Sequence, residues 1–272
     1  MRLSGPRILI LGFIGAFACN LDQVTGPRSS VTPVSPRVTR SSQRPSSKPT
    51  IVLVHGAFAD GSSWQELIPL LLNDGFNVVA VQNPLTSLAN DIATTRRVIE
   101  AQDGPVVVVG HSYGGAVITG AAEGNPNVKS LVYVAAFAPD ANEPVAAFLQ
   151  KYPSQLGPAL RADAASFLDI DAALFRDVFA ADVPLYRTRV MAVEQKPLIA
   201  SAFGESVPSP AWKTIPSWYI VAQEDQAINP DLERFYAKRM KATTTEIRTS
   251  HVPFISRPDV VAKVIRDAAE SP

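Results

Sequence analysis

Cysteine is almost missing: Cys19 is the only one in 272 residues, so the body of the chain can close no internal disulfide and must rely on core packing. Histidine is scarce too, at three, and no His/Cys/Asp/Glu cluster has the spacing of metal ligands, so neither a metal nor a cofactor is expected. Charge of one sign is not in excess, with 25 basic and 25 acidic residues. No basic stripe interleaved with aromatics appears, which argues against a nucleic-acid partner. Long hydrophobic runs are also lacking, since none reaches the ~20 residues of a membrane-spanning helix. What is present, 46% apolar content, suffices for one large buried core or two small ones.

The chain opens with Arg2 and Arg7, then an apolar run from Ile8 to Phe17 broken only by Gly12 and Gly15, then Ala16-Phe17-Ala18. That order reads as an export signal over residues 1–18, and it predicts a secreted or periplasmic protein. Cys19 follows the cleavage position directly, so the alternative is a lipid-anchored envelope protein tethered through Cys19. Lipidation prefers a Leu-like residue where Ala16 stands and a small one where Phe17 stands. Residues 19–48 are rich in Ser, Thr, Pro and Arg without apolar periodicity and read as a disordered linker. They carry most of the surplus base, leaving 24 acids against 18 bases from Pro49 onward.

From Pro49 strands and helices alternate, the pattern of a mostly parallel sheet covered on both faces. Ile51–Val54, Val106–Val109 and Ser130–Phe137 are short, wholly apolar strands of the kind buried on both sides. Ser63 and Glu66 suggest a capping box for a helix carrying Trp64, Leu67, Ile68, Leu71 and Leu72, ended by Gly75. Ser87 is placed to cap a helix running to Glu100. Alternation fails from Pro139 to about Pro216, where proline-separated amphipathic pieces predict a helical cap (139–215) without strands. The sheet pattern resumes at Ser217–Ala222, followed by a helix near Asp231–Met240, a strand at Thr244–Thr249 and a final helix at Pro258–Ala269.

Gly110-His-Ser112-Tyr-Gly114 follows four valines and precedes a helix. A serine hydroxyl becomes a nucleophile only when exposed, aimed and next to a base. A sharp strand-to-helix turn aims it, provided the residues two positions away lack side chains, as Gly110 and Gly114 do. Of the three histidines, His111 diverges from its neighbour Ser112, and His55 is suited to shaping the loop after the first strand. His251 follows the last strand at its carboxyl end, where catalytic groups of open α/β sheets gather. It is the candidate general base. A third group should fix its tautomer, and Glu224 and Asp225 both stand at the end of the preceding strand; Asp225 is preferred. Oxyanion donors are expected from the N–H of Tyr113 and from the loop after the first strand, at Ala57 or, alternatively, Phe58.

The stretches IVLVHGAFADGSSW, VVVVGHSYGGAVI, LVYVAAFAPD and SHVPFISRPDVVAKVI resemble the α/β-hydrolase superfamily. Within it, they are most similar to the group of plant methylesterases, hydroxynitrile lyases and bacterial esterase-like proteins. The similarity spans about Thr50 to Ala269 and is weaker through the cap. It implies Ser112, Asp225 and His251 as a catalytic triad, with Ala57 and Tyr113 as oxyanion donors. It also supports Asp225 over Glu224, because the family's acid stands in a similar strand-end context. The long basic leader before Pro49 departs from many relatives and bears on location.

These observations predict a serine esterase acting on a small, largely apolar carboxylic ester, its one expected partner. The cap aromatics Phe148, Tyr152, Phe167, Phe175, Phe179, Tyr186 and Phe203 are candidate pocket walls; Phe58, Phe137, Phe148 and Phe167 are taken as substrate-binding. Lyase chemistry of the hydroxynitrile type is the alternative; in the family the chain resembles it relies on a cap lysine near the site, for which Lys151 and Lys196 are the candidates. Lactonase or perhydrolase activity would keep the same triad, and a non-catalytic ligand-binding homologue is the remaining reading. A haloalkane dehalogenase would require a carboxylate where Ser112 stands.

Overall fold

A computed structural model describes residues 48–271. The export segment, the linker up to Ser47 and Cys19 lie outside the described residues.

Strand β1 (Thr50–Val54) leads through a 3-10 turn at Gly61–Trp64 to helix α1 (Ile68–Asn73). Then come β2 (Asn77–Ala80), α2 (Leu88–Glu100), β3 (Val106–Ser112), α3 (Tyr113–Ala121) and β4 (Val128–Ala136). An insertion follows, with α4 (Leu156–Ala159), β5 (Leu160–Ala162), β6 (Phe167–Ile170), α5 (Phe175–Phe179), α6 (Leu185–Val193) and β7 (Leu198–Ile199). Alternation resumes with β8 (Ser217–Ala222), α7 (Pro230–Met240), β9 (Thr243–Ile247), α8 (Pro253–Ser256) and α9 (Pro258–Glu270).

Six strands pair in the order β2-β1-β3-β4-β8-β9, and every pairing is parallel. All residues of β1, β3 and β8 are buried, as strands covered by helices on both faces must be. The edge strand β9 is polar and largely exposed, with Thr243, Thr244 and Glu246 at the surface. The chain moves from β1 outward to β2 and then crosses back to β3 on the other side of β1. The carboxyl ends of β1 and β3 therefore flank a reversal point, where ligands of such sheets bind. Register pairs Val54 with Gly110, which levels the loop after β1 with the turn after β3.

Two local expectations are corrected. Ser63 and Glu66 form no capping box. Asp60 instead caps the 3-10 turn by accepting from the Ser62 N–H, and α1 begins only at Ile68. Pro69 explains the split, because it has no N–H to give a helix begun at Trp64 but fits the first turn of a new one. The insertion is not wholly helical either. Strands β5, β6 and β7 form an antiparallel sheet there, with Leu160 opposite Ile170 and Phe167 opposite Ile199. Two to four residues per strand are too few to show a period of two. The turn joining β5 to β6 is built by Asp163, whose Oδ1 accepts from the N–H groups of Ala165 and Phe167.

Candidate active site

Ser112 closes β3 and precedes α3 with φ 53° and ψ −124°, a conformation that costs an L-residue energy and is held by its surroundings. The Ser112 carbonyl accepts from Phe137 N–H at 3.1 Å, and the β3–β4 register shifts at this point to set Ser112 against Ala136. The two flanking glycines are required by space. A Cβ on Gly110 would come within 2.6 Å of the Gly114 carbonyl oxygen, and one on Gly114 within 2.5 Å of the Val54 carbonyl oxygen. The turn thus folds tightly enough to lift the Ser112 side chain off the sheet edge at the amino end of α3.

His251 lies beyond β9, and its Nδ1–H donates to Asp225 Oδ2 at 2.5 Å. The other carboxylate oxygen of Asp225 accepts from the N–H groups of Ala227 (2.6 Å) and Ile228 (2.9 Å). Three donors on one carboxyl mark an ionised acceptor. They also put the His251 proton on Nδ1, leaving Nε2 as the basic nitrogen. Glu224 points elsewhere and pairs with the exposed Arg248 at 2.5 Å.

The remaining histidines are structural props. His111 Nε2–H donates to the His251 carbonyl at 2.8 Å, and the two rings are 4.6 Å apart. The residue next to Ser112 therefore fixes the backbone of His251. Burial pushes the His111 pKa well below the usual imidazole range, aided by the neighbouring His251. His55 Nδ1–H donates to the Gly56 carbonyl at 2.8 Å, and its Nε2 accepts the Asn83 N–H at 3.0 Å. Burial lowers its pKa to about 4. A neutral His55 thereby holds the loop carrying Ala57 and Phe58.

In that loop Phe58 has φ 62°, and among the described residues the N–H groups of Ala57 and Phe58 meet no backbone acceptor. The N–H of Tyr113 is in the first turn of α3, where a helix offers no partner. The Tyr113 ring is turned into the core, its hydroxyl donating to Asp91 Oδ2 at 2.8 Å. Only its backbone serves the turn.

A cavity of about 310 Å³ borders Phe58 of this loop and the two neighbours of the catalytic candidates, His111 and Val252; its other walls are Phe175, Phe179, Met191 and Phe254, with Asp60 and Glu194 also at its lining. Phe179, from the insertion, sets its ring 4.9 Å from that of His251. Of the four phenylalanines expected to bind substrate, Phe58 lines this cavity and three do not. Phe137 is buried against Phe203 at 6.4 Å, Phe148 packs on Phe235 at 5.0 Å, and Phe167 sits in β6 opposite Ile199. Phe137 and Phe148 join the insertion to the body, through Phe203 and Phe235, while Phe167 is held within the insertion's own small sheet. Met191 and Phe254 also line the cavity and are not among the sequence candidates; the signal for Phe254 is its place three residues after His251, at the start of α8. Lys151 stacks on Tyr152 and Lys196 donates to the Asn83 carbonyl, so neither bonds to Ser112 or His251. Among the described residues no group of three or more His, Cys, Asp or Glu is arranged to hold a metal.

The insertion also reaches the histidine through hydrogen bonds. Asp182, between α5 and α6, accepts from the Ser250 hydroxyl and, at 3.1 Å, from the Ser250 N–H. Ser250 immediately precedes His251.

The fold agrees with the comparisons to known proteins. The model of the alpha/beta hydrolase family matches residues 51–264, and the chain belongs to that family. It is 27% identical over 247 residues to an alpha/beta hydrolase of Aspergillus novofumigatus, covering 82% of this chain and 97% of the relative. It is 24% identical to methylesterase 8 of Arabidopsis thaliana, covering 79% and 87%. In structure it is similar to a pyrethroid hydrolase of Sphingobium faniae, with a TM-score of 0.70, 23% identity and coverage of 82% and 98%. The chain thus stands close to the methylesterase group.

Proposed function

We propose that the protein is a serine esterase that cleaves a small, largely apolar carboxylic ester through an acyl-enzyme. The observation that carries this reading is the Asp225–His251 hydrogen bond, held beside the Ser112 turn by the His111 bond to the His251 carbonyl. Similarity to a methylesterase and to a pyrethroid hydrolase supports the ester as substrate class.

In this reaction Ser112 Oγ attacks the ester carbonyl carbon while His251 Nε2 takes its proton. Asp225 stabilises the imidazolium so formed. The carbonyl oxygen becomes an oxyanion between the N–H of Tyr113 and that of Ala57, or of Phe58 beside it. The C–O bond to the alcohol breaks, and the alkoxide leaves with the proton from His251. Water then gives a proton to His251 and attacks the acyl carbon; the bond from that carbon to Ser112 Oγ breaks, the acid leaves, and His251 returns the proton to Ser112. The aromatic cavity favours an apolar acyl or alcohol group. Export through the segment over residues 1–18 belongs to the same proposal; the mass of the mature amino terminus tests it and separates a free Cys19 from a lipidated one.

Hydrolysis of short p-nitrophenyl esters is the direct test. S112A should lose essentially all activity, and D225N should lose about 10⁴-fold in kcat, as expected when the tautomer is wrong. E224Q should stay within about twofold, its partner being a surface arginine of small worth. A phosphonate probe should add its mass to the peptide containing Ser112. Turnover that survives S112A would overturn the reading.

A further inference from the structure

Behind Asp225 stands a second carboxyl that the reaction above does not use. Glu233, on α7, has no solvent exposure, and its Oε2 accepts the N–H of Ala222 at 3.0 Å, at the end of β8 and three residues before Asp225. Taken as a carboxylate, which can only accept, it has no hydrogen-bond partner for its Oε1 among the described residues. A buried carboxylate without a cation or a full set of donors is costly, and two facing carboxylates cannot both ionise cheaply. The cation that acts on it, Arg234, is half-exposed and engaged by Glu246 and Asp231. The other groups facing Glu233 offer no positive charge: Tyr219 of β8 is buried and un-ionised, and Asp225 acts on Glu233 as an anion.

Asp225 has a clear claim to the charge, since it already receives two backbone N–H groups and the His251 ring. The proton shared by the two acids then resides on Glu233. With Oε2 occupied by the Ala222 N–H, it belongs on Oε1, and the carboxyl with which the Glu233 side chain interacts is that of Asp225. Three donors on Asp225 leave it a lone pair for a fourth.

We infer that Glu233 is held as a neutral carboxylic acid whose O–H donates to Asp225, making it a positioning residue that orients the Asp225–His251 pair and tempers the negative charge felt by His251. Burial and the Asp225 charge both push its pKa well above the usual glutamate range, in accord with this geometry. The role rests on the proposed esterase reaction, but the protonation state does not.

The test uses both readouts on the full chain. Glutamine matches a neutral glutamic acid in shape, with an N–H for Asp225 and a carbonyl oxygen for Ala222. E233Q should therefore keep kcat/KM within about twofold. A carboxyl whose folded pKa is raised binds more protons folded than unfolded, so its contribution to stability is whole below about pH 4.3 and is lost as pH rises. The Tm of E233Q should accordingly gain on wild type steadily from pH 5 to 9; a gap that does not change with pH overturns the neutral acid. E233L removes the donor: kcat should fall about tenfold at unchanged KM, and the acid limb of the kcat/KM profile should move to higher pH as Asp225 presents its full charge to His251. Normal kcat with an unmoved limb overturns the positioning role. Should E233L not fold, the E233Q series decides, and it reads the proton even if no ester is turned over.

Discussion

His55 and His111 bear on stability as directly as His251 bears on chemistry. Both are buried and held neutral, so each must take up a proton when the protein unfolds in acid. For His55, with a pKa lowered to about 4, the contribution is whole above about pH 6.5 and is lost as pH falls through 4. Integrated over that window it is on the order of 3 kcal/mol. The expected outcome is that Tm declines from pH 6.5 to 4 and that H55Q flattens part of the decline at some cost at neutral pH, as read by thermal melts. His111 acts in the same direction. At this scale the sequence was informative: a glycine on either side of Ser112, a late histidine and a strand-end acid were all visible as residue types in position. What separated Asp225 from Glu224 was invisible in the string. One turns inward to the N–H groups of Ala227 and Ile228, the other outward to Arg248.

Among the elements, the insertion is where sequence and structure diverge most. The parallel strands and long helices showed through their periodicity, and Ser87 caps α2 as its side chain suggests, by accepting the Asn90 N–H. The insertion is built from pieces of two to nine residues, too short for a period to accumulate, and its aromatics divide between packing and cavity without a local rule. Phe148 and Phe179 look alike in sequence. Only the docking of α5 over His251 tells them apart. The Asp182–Ser250 contact is the element-level counterpart, tying the segment between α5 and α6 to the loop after β9. D182A should lower kcat roughly tenfold, the scale of a lost charge-assisted hydrogen bond, while D182N, which still accepts from the Ser250 hydroxyl, should recover much of it. Steady-state kinetics on a p-nitrophenyl ester would register both.

Taken whole, residues 48–271 hold together without covalent cross-links, as the lone cysteine at position 19 requires. The stability of this body should be the same with and without a thiol reductant, which melts in the presence and absence of dithiothreitol would verify. Chain order also carried the topology, because a strand pattern interrupted once and then resumed leaves few right-handed parallel arrangements. Pocket shape was not legible in that way, since it depends on how short segments from distant parts of the chain meet.

The ring of Phe179 lying across His251 ties the choice of substrate to the tuning of the base. A chimera that exchanges this insertion for a relative's would replace the wall of the binding space and, in the same stroke, the roof over the imidazole and its Asp182 anchor. Variants that alter selectivity here should therefore show altered pH–rate profiles as well, unless the grafted segment brings an aromatic and an acid to the same two places.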